Sequence, residues 1–269
     1  MILINGEERS TVDASDRGLA YGDGLFETIE ITDEKAVHWL RHFERLQLGC
    51  QVLSLTCPDE DILVQECEQL IAGVSKAVVK IIITRGSTGR GYRPSQDSNA
   101  TRILSIHPWP KIPNVYYDEG IRLYSCKAPV SINSKLAGIK TLCRLDQVLA
   151  QSEWVEGDYE EGLMFDDNQL VIEGTKTNIF IIKQGKLYTP LLKRAGIKGI
   201  MREIVIEIAQ VLNIPIIEIE LSKTEVIDAD EIFVCNSIIK IWPVREFLNK
   251  HYAVGEITRK FINNMDYIE

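Results

Sequence analysis

The sequence predicts a two-domain protein of mixed α/β (α+β) class with a cleft between the domains, and three observations carry that expectation. The chain has 269 residues, enough for one large or two modest domains, each with its own core. Short runs rich in β-branched and aromatic residues alternate with stretches whose apolar residues recur every three or four positions. A proline-broken segment, "HPWPKIPNVYYDE" at 107–119, interrupts both periodicities and divides the chain into 1–110, a linker at 111–119, and 120–269. Junctions of this kind are common ligand sites.

In chain order, "LFETIEI" (25–31) reads as a strand. Trp39, Phe43, Leu46, Cys50 and Leu53 then mark one face of a helix. A second helix is expected after Thr56, with Pro58 and Asp59 in its first turn and Ile62, Leu63, Cys67, Leu70 and Ile71 buried. "AVVKIIIT" (77–84) and "TRILSI" (101–106) read as strands. Beyond the linker, strands are expected at 121–126, 160–166, 178–183, 215–220 and 231–235, and helices at about 141–156, 199–212 and 256–265. The last part of the chain, 246–269, carries an amphipathic pattern and no chemical motif.

Composition narrows the function. Hydrophobic residues make up 45% and charged residues 26%, an ordinary globular mixture. The net charge is −9 and no block of lysine or arginine forms a stripe, which argues against a nucleic-acid binder. An anionic small substrate is still compatible with a few focused arginines. The six cysteines (50, 57, 67, 126, 143, 235) form no C-x-x-C pair and read as buried, reduced thiols. "MILINGEERS" has no signal-peptide pattern, no run is long enough to span a bilayer, and a cytoplasmic protein is expected.

Few motifs carry chemistry unaided. His38 and His42 are spaced i, i+4, but no further ligand accompanies them, so a surface or capping role is expected and no metal. Neither a G-x-S-x-G elbow nor a G-x-x-x-x-G-K-[ST] loop is present. The two glycines of "YGDGLFE" read as a turn before a strand. "VIEGTKTNIF" (171–180) reads as strand, polar turn and strand, with Glu173 either solvated or directed into a cleft. Lys140 raises its own question. In "SKLAGIKTLCRL" (134–145) it stands among Leu136, Ala137, Ile139 and Leu142, where an amine snorkels, pairs with an acid or has a task.

Five motifs in order, "SDRGLAYGDGLFETIEI", "HFERL", "AGIKTLCRLDQVLA", "VIEGTKTNIF" and "GIMRE", resemble the fold-type IV pyridoxal-phosphate enzymes. The resemblance runs from about residue 1 to about residue 245. This group holds the branched-chain aminotransferases, the D-amino-acid aminotransferases and the aminodeoxychorismate lyases. "RGSTGRGY", "TRILS", "LAGIKTLCRLDQVL" and "VCNSI" look most like the last of these. The resemblance implies a D-amino-acid-aminotransferase-like fold, with a small N-terminal domain, a larger cofactor-binding domain and pyridoxal 5′-phosphate as cofactor.

Residue by residue, the resemblance assigns the amine that holds the cofactor aldehyde to Lys140, and an apolar setting favours that amine's neutral form. It matches Glu173 to the acid beside the pyridine nitrogen. Arg45 in "HFERL" matches the phosphate arginine, and the amides of Ile200 and Met201, after Gly199, match an anion-binding helix N-terminus. Ser237 and Asn178 join the cofactor set. Arg90 and Tyr92 stand where D-amino-acid aminotransferases resemble R-G-x-x-x-R-x-H, with tyrosine in place of the histidine. That departure argues against a D-amino acid, while Arg90 remains suited to a carboxylate.

The implied reaction is the lyase cleavage of 4-amino-4-deoxychorismate to pyruvate and 4-aminobenzoate, a folate precursor. Lys140 is the proton carrier. Thr28, on the same strand face as Phe26, is the candidate for assisting protonation of the leaving side chain. Phe26, Arg90 and Tyr92 form the expected substrate set. An aminotransferase of D- or branched-chain amino acids and a non-catalytic binding protein are the alternatives, and intact Lys140, Glu173 and Arg45 argue against the second. A homodimer is implied by resemblance. Trp109, Tyr116 and Tyr117 support it no better than they support a linker packed on its own domain. Arg144 is left open between cofactor, partner subunit and solvent.

Overall fold

The computed structural model describes residues 1–87, 91–94 and 99–265, to which every count below refers. The chain forms two compact units: Met1–Pro110 with Ile139–Cys143, and Lys111–Gly138 with Arg144–Glu269.

Unit 1 is an antiparallel sheet covered by helices. Its strands are β1 (Ile2–Ile4), β2 (Glu7–Glu8), β3 (Gly24–Thr32), β4 (Lys35–Ala36), β5 (Lys76–Thr84) and β6 (Thr101–Pro108), in the order β2-β1-β6-β5-β3-β4. Alternation along β3 and β5 sends Leu25, Ile29, Ile31, Val79, Ile81 and Ile83 to one face. There they meet Leu46 and Cys50 of α2 (Trp39–Leu53) and Leu63, Cys67 and Leu70 of α3 (Glu60–Ile71). A short helix, α1 (Arg17–Tyr21), precedes β3, and Gly22 closes it in the left-handed conformation at φ 65°, the expected turn before a strand. Pro58 and Asp59 precede α3, Asp59 being its N-cap, and Ile62 is exposed rather than buried.

Residues 139–143 contribute an extra pairing at the free edge of β3. The Phe26 amide donates to the Lys140 carbonyl (3.1 Å) and the Leu142 amide to the Gly24 carbonyl (3.0 Å). This pairing is why the helix expected over 141–156 contracts to α5 (Leu145–Gln151): residues 140–142 spend their backbone groups on a strand.

Unit 2 is built on a ten-stranded mixed sheet. Its strands are β7 (Ile121–Ser125), β8 (Glu161–Phe165), β9 (Leu170–Gly174), β10 (Asn178–Lys183), β11 (Lys186–Pro190), β12 (Ile216–Ile219), β13 (Leu221–Ser222), β14 (Glu231–Asn236), β15 (Lys240–Phe247) and β16 (Lys250–His251). The order is β12-β11-β10-β14-β15-β7-β8-β9-β13, with β16 on β15. Besides α5, its helices are α4 (Val115–Asp118), α6 (Ile200–Val211), α7 (Lys223–Ile227) and α8 (Glu256–Asn263).

Alternation again divides the faces. Phe180, Ile182, Phe233 and Ile241 pack against Ile204, Val205 and Ile208 of α6 and Phe261 of α8. Ile179, Ile181, Ile232, Val234 and Val244 face the opposite core. The segment read as a linker carries α4, and Tyr116 and Tyr117 pack edge-on to Trp242 of the same unit, at 5.3 and 6.4 Å between ring centroids. Trp109 lies under the Lys76 ammonium in unit 1. Of the six cysteines, all free, Cys143 is exposed and Cys57 partly so, against the expectation of buried thiols throughout.

Phe233 stacks on Phe180 (5.1 Å) and touches Phe261 (5.6 Å), joining α8 to the sheet. Phe233→Ala should cost about 3–5 kcal/mol in urea denaturation, because it opens a cavity under α6 and α8 together. Phe233→Leu should recover most of that loss.

Candidate active site

Unit 1 places three titratable side chains under α2. Glu27 falls in the apolar register of β3, between Leu25 and Ile29, and is 1% exposed. An acid there needs partners. Arg45 supplies two hydrogen bonds, Nε to Oε1 at 2.8 Å and Nη2 to Oε2 at 2.5 Å. His42, one turn before Arg45 on the same helix face, sets Nδ1 2.7 Å from Oε2. Burial alone would raise the Glu27 carboxyl, but Arg45 and His42 outweigh it and hold it at about 2. Burial lowers His42; Glu27 opposes this, while the charges of Arg45 and Lys140 add to it. The imidazole is therefore neutral, donating from Nδ1. His42 is neither a surface nor a capping residue. His38 does occupy the N-cap of α2, at φ 55°, but its side chain caps nothing.

Lys140 stands beside this cluster. Its Nζ lies 4.3 Å from the Phe26 ring centroid, and the Lys80 Nζ lies 5.3 Å from the same ring. Thr28 shares that strand face, half-buried, and pairs across the sheet with Lys80. Of the expected substrate residues, Arg90 lies outside the described residues and Tyr92 is exposed, its ring 5.5 Å from Tyr21. The chain at Tyr92 is held by Arg17, which is 3% exposed. Arg17 donates from Nη1 to the Gly91 carbonyl (2.7 Å) and from Nη2 to the Tyr92 carbonyl (3.0 Å). Asp23 accepts from Arg17 Nε (2.9 Å) and Arg85 Nε (2.7 Å), fixing both guanidinium groups. Sequence reasoning missed this latch and the Glu27–His42 pair. The available signal was an acid at an apolar register in "LFETIEI".

In unit 2, Glu173 lies in β9, before the turn, and it is buried rather than solvated. Its Oε2 accepts from the Ile197 amide (2.7 Å) and its Oε1 from Gln147 Nε2 (3.3 Å). The turn after it is held by Glu161, which is fully buried. Glu161 accepts from the amides of Gly162 (2.8 Å) and Thr175 (3.0 Å), and from the hydroxyls of Thr175 and Thr177. Asn178 clamps the approach to α6: Nδ2 donates to the Ile197 carbonyl (2.9 Å) and Oδ1 accepts from the Gly199 amide (3.1 Å). Gly199 is the N-cap of α6, and a Cβ there would come 2.2 Å from Asn178 Oδ1. With no capping side chain, the first-turn amides, Ile200 and Met201 among them, make a donor set for an anion. Ser237 sits half-buried in the turn between β14 and β15. Gly138, two residues before Lys140, pairs with Ile197, its amide donating to the Gly196 carbonyl at 2.8 Å.

Unit 1 thus holds an amine and a clamped guanidinium, and unit 2 a buried acid and a helix start without a capping side chain. The comparisons with known proteins agree on the class. Residues 24–247 match the amino-transferase class IV family, and the chain belongs to it. The fold is the fold-type IV arrangement expected from the motifs. Over 270 residues the chain is 31% identical to the aminodeoxychorismate lyase of Vibrio harveyi, covering 99% of this chain and 100% of that one. It is also 31% identical to a putative branched-chain-amino-acid aminotransferase of Methanocaldococcus jannaschii, covering 96% and 93%. Among solved structures, 4-amino-4-deoxychorismate lyase from Pseudomonas aeruginosa matches with a TM-score of 0.95 at 38% identity, covering 100% of this chain and 99% of that one.

The Glu27 cluster sets a pH dependence. The unfolded carboxyl titrates near 4.5 and the folded one near 2, so between these values the unfolded chain binds the extra proton. Stability is complete above about 4.5 and is lost as pH falls towards 2, by roughly 3 kcal/mol. Urea melts of Glu27→Gln should lack this slope and show lower stability at neutral pH.

Proposed function

We propose that the chain is a 4-amino-4-deoxychorismate lyase, which uses pyridoxal 5′-phosphate to release pyruvate and 4-aminobenzoate. The observation that carries the chemistry is Glu173: a buried carboxylate oriented by an amide and a carboxamide is the group a protonated pyridine nitrogen needs. The choice of a lyase rests on the full-length likeness to two proteins of that name.

The residues present fit the cofactor. Lys140 would hold its aldehyde, Glu173 its ring nitrogen, and Arg45 its phosphate together with the amides of Ile200 and Met201. Asn178 orients the loop that presents those amides, and Ser237 adds a hydroxyl. When bound, the cofactor supplies an electron sink for the carbon that loses a proton.

The chain's own residues then manage protons. Lys140 accepts the proton from C4 of the substrate. The C3–O bond breaks, and the enolpyruvyl group gains a proton as it leaves as pyruvate. Atoms balance without water, and the ring becomes aromatic. Thr28 assists at the side chain, with Lys80 its cross-strand neighbour. Arg90 and Tyr92 meet the substrate's carboxylates, and Phe26 packs beneath it.

The protein is proposed to act as a cytoplasmic homodimer in 4-aminobenzoate supply for folate. The outward face of α5 supports the dimer: Leu145, Val148 and Leu149, at i, i+3 and i+4, are 74%, 60% and 59% exposed. No helix among the described residues is long and apolar enough to cross a membrane. The likeness to a branched-chain aminotransferase keeps one competing activity in view, using the same residues.

Supplied with 4-amino-4-deoxychorismate, the purified protein should form pyruvate and 4-aminobenzoate in equal amounts. Keto-acid formation from leucine or D-alanine without that product would overturn the assignment. Lys140→Ala should abolish turnover together with the cofactor's lysine-linked visible band. Glu173→Gln should retain bound cofactor but lose about 100-fold or more in rate.

A further inference from the structure

His42 carries an atom that the machinery above does not use. It is 1% exposed, and while Nδ1 is engaged by Glu27, its Nε2 is buried with no hydrogen-bond partner among the described residues. A sealed polar atom is costly, and native interiors rarely keep one without a use. The position of His42 suggests the use. One carboxylate, Glu27, grips both His42 and Arg45, so the two side chains are neighbours on one helix face with a shared counter-ion.

The charge balance of this cluster is incomplete for its proposed ligand. Glu27 and Arg45 cancel, and with Lys140 the cluster carries one positive charge where a dianion is to bind. A phosphate added beside Arg45 would bring the cluster to one negative charge. One proton on His42 would cancel that excess and turn its unpartnered acceptor into a donor as the anion brings new acceptors. The charged or titratable groups about His42 are Glu27 on β3, Arg45 and His38 on α2, and Lys140 on the 139–143 segment. Burial, above all, lowers the imidazole before an anion arrives; Glu27 opposes this, and the charges of Arg45 and Lys140 add to it.

We propose that His42 is a proton-linked positioning residue: it takes up a proton at Nε2 when an anion binds at Arg45, so that anion binding and His42 protonation tighten one another. Such coupling is reciprocal by thermodynamic necessity. The inference rests on the reading of Arg45 as the phosphate residue.

Sulfate is a suitable probe, because it stays a dianion across the pH range of interest and contributes no proton of its own. Calorimetric titration of the full chain, dialysed free of cofactor, in two buffers of different ionisation heat counts the protons taken up. The wild type should bind sulfate roughly three- to tenfold more tightly at about pH 6 than at about pH 8, with uptake approaching one proton per sulfate at the lower pH. His42→Asn keeps a donor for Glu27 but cannot titrate there. It should bind with little pH dependence and almost no uptake. Equal proton uptake in His42→Asn and wild type, or none in wild type, would overturn the proposal. Arg45→Gln separates the two readings: if it binds sulfate as tightly as wild type, the phosphate assignment fails first. Should His42→Asn not fold, the imidazole NMR titration of wild-type His42 decides. Its midpoint should rise on saturation with sulfate, and an unmoved midpoint would refute the linkage.

Discussion

Two backbone hydrogen bonds, from Phe26 to the Lys140 carbonyl and from Leu142 to the Gly24 carbonyl, hold Lys140 on the edge of β3. Without them the stretch would follow its helical propensity into α5, and the amine would turn with the helix. With them, Lys140 lies across Phe26, its carbonyl fixed and its side chain directed by a strand. The same strand carries Glu27 one position further on, with the opposite facing, so one element orders the amine, the aromatic beside it and the acid that holds Arg45. The strand edge thus sets the placement of Lys140, Phe26 and Glu27 together.

Three buried carboxylates are stabilised in three different ways. Glu27 is held by a guanidinium and an imidazole, Glu161 by amides and hydroxyls, and Glu173 counts the Ile197 amide and the Gln147 carboxamide among its partners. The differences match their proposed tasks. A structural acid is best saturated by fixed neutral donors, as Glu161 is, because nothing then competes for it. An acid with a cationic ligand to hold is placed and oriented by its neutral partners. An acid that keeps an arginine in place also subtracts that arginine's charge, a constraint any anion at Arg45 must meet.

Much of this was legible from pattern. β3, β5, β10 and α2 follow directly from period-two and period-three-or-four spacing, and the expectation of sites at 140, 173 and 199–201 rested on resemblance to a family. The losses have physical causes. β11 and β15 contain Pro190 and Pro243, which weaken a strand signal, and β15 opens on Lys240 at φ 57°. The helix expected over 141–156 was overridden by pairing to β3, a tertiary effect that no local propensity encodes. Glu27 and His42 were passed over because each reads as a solvated residue singly. Only their meeting, fifteen residues apart, reveals a buried pair.

Arg17 grips the chain at residues 91 and 92 by two main-chain carbonyls, those of Gly91 and Tyr92, and Asp23 locks the grip. A carbonyl is the same whatever side chain stands beside it. The latch is therefore indifferent to the identity of residue 92, and substitutions there change the exposed side chain while these two hydrogen bonds are kept. Within one fold whose members act on unlike amines, that separates the part that must persist from the part left to variation.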